Sequence, residues 1–201
     1  MTTRRTGFIL ACVLAAGIAW GADVYQIDPA HSVVGFSIRH MVINNVKGSF
    51  NDFAGTIEYD GKDPLSLKAS GTIQVKSVDT GIAGRDDHLR GEDFFDVAKF
   101  PEITFQSERV EKQGEGYALI GKFTMHGVTK EIALPFTVNG PIADMQGKSR
   151  IGIESSLTLN RQDYGLNWSK ALDNGGLVVG DEVKIELGME AVLQEAEKAP
   201  E

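Results

Sequence analysis

Thiol chemistry is almost missing from this 201-residue chain: Cys12 is its one cysteine, and it lies in an apolar stretch near the N-terminus. The rest of the chain can form no disulfide, present no cysteine nucleophile and build no thiolate metal site. Histidine is sparse too, at four residues, His31, His40, His88 and His126, without H-x-H or H-E-x-x-H spacing. His31 and His40 read as one strand at opposite parity, so their rings leave on opposite faces, and no metal site is expected. There is no G-x-S-x-G elbow, and Gly114-Glu115-Gly116 marks a hairpin rather than a phosphate loop. Basic charge is short as well: 20 Lys and Arg face 28 Asp and Glu, a net charge of -8 with no offsetting basic cluster. Such a surface repels nucleic acid and anionic membranes, so neither is an expected partner.

Long apolar runs are absent except for Phe8 to Ala19, which follows Arg4 and Arg5 and precedes Ala19-Trp20-Gly21. A basic n-region, a short apolar core and a small-x-small site describe a cleaved secretory signal over residues 1–21. The run falls short of the ~20 residues of a spanning helix, so no stable membrane anchor is expected. Ile9-Leu10-Ala11-Cys12 loosely resembles a lipoprotein box, but the apolar run continues through Val13 and Leu14, which argues against lipidation. The expected product begins at Ala22 and relies on its core alone, which one domain over residues 22–193 is long enough to supply. Residues 194–201 form a charged tail expected to fray.

What the chain does have is alternation. Val34, Phe36, Ile38 and Val42 share one parity; Ile57 with Tyr59, Ile73 with Val75, and Ile103 with Phe105 repeat the pattern. Leu119 and Phe123 follow, then Ile132 to Val138, Ile151 to Leu159 and Val183 to Met189. A period of two marks strands with one buried face, and the count is about eight. Asp60-Gly61, Gly114-Glu115-Gly116, His126-Gly127 and Asn139-Gly140-Pro141 supply turn chemistry between them. Longer connections run from Thr80 to Pro101 and from Arg161 to Asp181, where lids and binding loops tend to occur. Short turns imply antiparallel neighbours, and a sandwich or a closed barrel would satisfy the pattern. The count, the meander and a helical segment at one end favour an all-β, eight-stranded antiparallel barrel. Phe94-Phe95, set in the charged run GRDDHLRGEDFFDVAKF, can cap or line the open end while Arg85 to Asp93 face water. Composition leaves open whether those rings close a cavity or a filled core.

Four motifs, DPAHSVVGFSIRHM (28–41), DDHLRGEDFFDVAKFPEITFQS (86–107), MHGVTKEIALPF (125–136) and RQDYGL (161–166), resemble the YceI-like family. The resemblance spans residues 25–192 and implies a periplasmic, lipocalin-like barrel that holds a polyisoprenoid, such as a polyprenyl quinone or polyprenyl phosphate. It implies a noncatalytic carrier or scavenger whose partner is this hydrophobic small molecule, with no cofactor beyond the bound lipid, and leaves a homodimer open. On the inward parity, the resemblance turns Phe36, Ile38, Phe53, Ile73, Phe94, Phe95, Ile103, Phe105, Phe123, Leu134, Phe136, Leu157 and Trp168 into expected ligand contacts. Arg161 and Asp163, where a strand leaves the barrel, can meet a head group or form a structural ion pair. The rival readings are an interaction barrel filled by its own side chains and an enzyme acting on a lipid or quinone. The acidic cluster Asp86, Asp87, Glu92, Asp93 and Asp96 could serve acid-base chemistry but reads better as a solvated face.

Overall fold

The computed structural model describes residues 22–171 and 177–194, so the signal-peptide reading of residues 1–21 and all of the tail after Gln194 lie outside the described residues. Eleven strand segments occur in order: β1 (Asp23–Ile27), β2 (Val33–His40), β3 (Asn44–Phe50), β4 (Phe53–Tyr59), β5 (Lys68–Gln74) and β6 (Val78–Asp79) come first. Then follow β7 (Glu102–Gln113), β8 (Gly116–Met125), β9 (Val128–Ala143), β10 (Ser149–Asn160) and β11 (Val179–Leu193). Among the described residues a single α-helix, α1 (Ala83–Arg90), lies between β6 and β7.

All pairings are antiparallel. The ring β1-β4-β5-β7-β8-β9-β10-β11 closes because β11 returns to β1, with Tyr25 opposite Leu193 and Ile27 opposite Ala191. The other three segments prolong staves of that ring. β2 continues β1 along β11, β3 continues β4 along β2, and β6 continues β5 along β3. The molecule is therefore an eight-stave, up-and-down barrel, as the sequence predicts, with three staves broken midway. Closure removes every sheet edge from the ring, the main liability of an exposed β-sheet.

Local chemistry explains the breaks and corrects several expectations. His31 is not on a strand: the Asp28 side chain accepts from Ala30 N at 3.1 Å and Pro29 fixes the next φ, so Pro29–His31 forms a 3-10 turn between β1 and β2. Val42 leaves the alternation because β2 pairs with β3 through His40 opposite Asn44. Met41 and Val42 then form the turn with φ of 50° and 63°, an unfavourable region for a β-branched residue, and both are exposed. Asn139-Gly140-Pro141 is not a turn either. β9 runs through it, kinked where Gly140 adopts φ of 94° and the register against Arg150 and Gly152 slips, so the chain reverses later, around Asp144 to Lys148.

Side chains of the inward parity form two clusters. At the end holding the chain's first described residues, Tyr25, Tyr59, Ile151 and Ala191 are almost wholly buried and plug the barrel floor. Toward the opposite end, Val34, Phe50, Phe53, Val75, Val78, Phe94, Ile103 and Tyr164 pack the strands against the two long connections.

Candidate functional site

Between the floor and the helix-bearing end lies a cavity of about 410 Å³. Interior voids in a close-packed core rarely exceed one water, whose share of the liquid is ~30 Å³, so this barrel is not filled by its own side chains. Every one of the thirteen inward residues expected to meet a ligand contributes to the lining. Phe105 and Phe123 face each other across β7 and β8, and Phe136 and Leu134 descend toward the floor on β9. The walls are overwhelmingly hydrocarbon.

The two long connections form the roof. Phe94 is buried, its ring 5.1 Å from that of Trp168, and His88 meets both rings edge-on at 5.0 and 5.2 Å. Phe95 packs edge-on against Phe50 at 5.8 Å. Trp168 thus lines the cavity, whereas Tyr164, 2% exposed, packs edge-on against Phe123 and supports the loop from behind. Burial and the nearby Asp163 charge push the Tyr164 hydroxyl above its ordinary pKa.

Arg161 reaches the lining but is already engaged. Only 3% exposed, it donates from Nε to Gly180 O at 2.8 Å, from Nη1 to Leu166 O, and from Nη2 to Asp181 Oδ1 at 3.0 Å. Burial lowers its pKa, and the Asp181 carboxylate opposes that shift. The ion pair therefore spans the connection from Arg161 to Asp181 as a structural pin. Asp163, the other expected head-group contact, is exposed and lies 3.4 Å from Lys130 Nζ, away from the cavity.

Sequence parity missed two mouth residues. Arg39 points outward by alternation, yet it sits where β2 ends, and its long side chain turns along the rim to donate from Nε to Val42 O at 3.1 Å. Arg85 was expected to face water with its neighbours, but it also lines the mouth, donating from Nε to Thr80 Oγ1 at 2.7 Å. Asp86 departs from that expectation as well. It is 6% exposed and accepts from Thr80 N at 2.9 Å and Thr80 Oγ1 at 2.5 Å, bonds that hold its pKa below the ordinary carboxylate value. Asp96, in the same acidic run, is also buried and pairs with Lys99 at 2.8 Å.

One hydroxyl in the wall is an orphan: Ser155 Oγ on β10 has no hydrogen-bond partner among the described residues. The one grouping of ligating side chains among the described residues, Asp28, His31 and Glu190, lies outside the barrel lining. Arg150 Nη1 already supplies its cation, 3.0 Å from Asp28 and 2.6 Å from Glu190. The His31 hydrogen bond, then that of Arg150, holds the Asp28 pKa down at about 2.

The YceI-like domain matches this chain over residues 25–191. The chain belongs to the YceI-like family. A UPF0312 protein of Yersinia pestis (strain Pestoides F) is 41% identical over 158 residues, covering 78% of this chain and 82% of that one. The crystal structure of BcnA from Burkholderia cenocepacia superposes with a TM-score of 0.71 at 26% identity, covering 82% of this chain and 99% of that one. A polyisoprenoid binding domain from Saccharophagus degradans shares the fold at a TM-score of 0.61 and 19% identity, over 85% and 98% of the two chains. The chain spans 82% of the length of that UPF0312 relative and 99% and 98% of those two solved chains. Among its described residues, no helix is long and apolar enough to cross a membrane.

Proposed function

We propose that this YceI-like protein is an exported, noncatalytic carrier or scavenger that holds a polyisoprenoid-type lipid within its barrel. The observation that carries the reading is the hydrocarbon-lined cavity of about 410 Å³, closed by tyrosines at one end and roofed by aromatic rings at the other. That volume falls within the ~300–1,000 Å³ of ordinary small-molecule pockets. Each methylene drawn from water contributes up to ~0.8 kcal/mol, and ordering a flexible tail takes back part of it. A methyl-branched chain suits walls built from Ile, Leu and Phe, and a Saccharophagus degradans domain of the same fold is named for polyisoprenoid binding.

Chemistry on the bound molecule would need an activated group in the wall. The bases that reach the lining, His40 and His88, stand at the roofed end, and Ser155 Oγ makes no hydrogen bond to either among the described residues; binding without turnover is the reading proposed. The direct test is to purify the protein from periplasm, extract it with organic solvent and identify the extract by mass spectrometry. An isoprenoid near equimolar to protein is expected, along with an intact mass that begins at Ala22. An extract free of isoprenoid, joined to a delipidated protein that fails to bind polyprenyl alcohol, overturns the reading. Retention of residues 1–21 in periplasmic material overturns cleavage.

A further inference from the structure

Among the described residues, the side chains of fixed charge that line the cavity are all cationic. Arg39, Arg85 and Arg161 contribute to its lining beside His40 and His88, and no described Asp or Glu does, although acids outnumber bases in the chain by 28 to 20; the His88 ring is held by Asp93 at 3.0 Å. All five stand at the roofed end, in the last residues of β2, in α1 and just after β10. Among the described arginines, Arg90, Arg109, Arg150 and Arg161 each make a salt bridge to a carboxylate. Arg39 and Arg85 make none within 4.0 Å to any described carboxylate.

These two guanidiniums are nevertheless held in place. Arg39 donates from Nε to Val42 O at 3.1 Å and from Nη1 to Asn45 Oδ1 at 3.3 Å. Arg85 donates from Nε to Thr80 Oγ1 at 2.7 Å and from Nη2 to Thr80 O at 2.8 Å, and Asp86 fixes Thr80 in turn. Neutral acceptors orient both side chains and leave Arg39 Nη2 and Arg85 Nη1 without a partner among the described residues. They flank β3, one on the β2 side and one on the β6 side, so they face the mouth from two directions.

We infer that Arg39 and Arg85 form a subsite for an anionic head group, a phosphate or carboxylate, at the end of the lipid that emerges from the barrel. The inference rests on the isoprenoid reading and narrows it to acidic isoprenoids. An oriented guanidinium with a spare N–H suits a phosphate or carboxylate oxygen, whereas a neutral hydroxyl or quinone head offers neither guanidinium a charged partner and leaves both to water. Apolar walls below would hold the chain, and the two arginines would set its direction, head outward.

The test compares delipidated full-length mature protein with prenyl phosphate, prenyl carboxylic acid and prenyl alcohol of equal chain length, followed through the fluorescence of Trp168. Wild type should bind both acids at least about tenfold more tightly than the alcohol, the size of a single charge-assisted hydrogen bond. In the Arg39→Gln, Arg85→Gln double variant, acid affinity should fall to that of the alcohol. The Arg39→Lys, Arg85→Lys pair, which keeps charge but loses the fork, should retain part of the preference. Circular dichroism and the urea midpoint check that each variant is folded. Equal affinity of wild type for acid and alcohol, or a preference that survives in the folded double glutamine variant, overturns the head-group subsite while leaving isoprenoid binding intact. Failure of wild type to bind any of the three ligands overturns the isoprenoid reading and the subsite together.

Discussion

Truncating Phe105 separates a hollow barrel from a filled one. In a packed core, Phe→Ala costs ~3–5 kcal/mol because the loss of buried hydrocarbon is joined by a new void. Phe105 differs: its ring stands half-buried at the cavity wall, opposite Phe123 and against the backbone of Gly121. Its removal enlarges a space of about 410 Å³ rather than opening a void, so mainly the transfer term is lost, ~1.5–3 kcal/mol. Ile151 provides the comparison, since it is 2% exposed in the floor and does not line this cavity; Ile151→Ala should cost ~3–5 kcal/mol, the upper part of its class. With a urea slope of ~2 kcal/mol per molar, Phe105→Ala should lower the midpoint by about 1 M and Ile151→Ala by about 2 M. Both are measured on delipidated protein, because bound ligand adds stability by mass action. Polyprenyl alcohol should then raise the midpoint of wild type and raise that of Phe105→Ala by a different amount. A Phe105→Ala loss equal to or larger than that of Ile151→Ala, with no isoprenoid stabilising wild type, would refute both the hollow lumen and the proposed function.

Three other outcomes can be checked with the same equipment. Arg161→Ala should destabilise by ~2–3 kcal/mol, because it leaves the Gly180 and Leu166 carbonyls without their donor and Asp181 with only Gln162 Nε2 and water; a midpoint within error of wild type would show that the pin contributes nothing. Ser155→Ala removes a hydroxyl that has no partner among the described residues, so its midpoint should equal or exceed that of wild type, and a loss above about 1 kcal/mol would mean that a bond is made there. Acid should weaken the fold in a defined window. Asp28 has a folded pKa of about 2, below its ordinary 3.8, and Asp144 is lowered chiefly by Arg150, so their contribution is complete above pH ~4 and is lost as pH falls toward 2. Urea midpoints between pH 5 and pH 2.5 should drop less in Arg150→Gln than in wild type, and an identical drop would remove Arg150 from the account.

Period-two alternation is a local property, so the sequence by itself determined most of the inward side chains, Val42 excepted, and a count of about eight staves. It also located both long connections and marked Phe94 and Phe95 as apolar beneath a charged surface. Segments such as Asn44–Phe50 escaped notice because polar residues and a glycine dilute their alternation, and they become strand only through pairing with β2. Arg39 and Arg85 escaped because a long side chain at a strand or helix end can turn from its Cβ direction, and only the surrounding acceptors decide where the guanidinium rests. The choice of Asp181 over Asp163 for Arg161 required the loop to fold back on β11. Whether the lumen is hollow belongs to the tertiary structure alone. That outcome depends on barrel radius set against the summed volume of inward side chains from eight staves distant in sequence, a balance that no local pattern of residues contains.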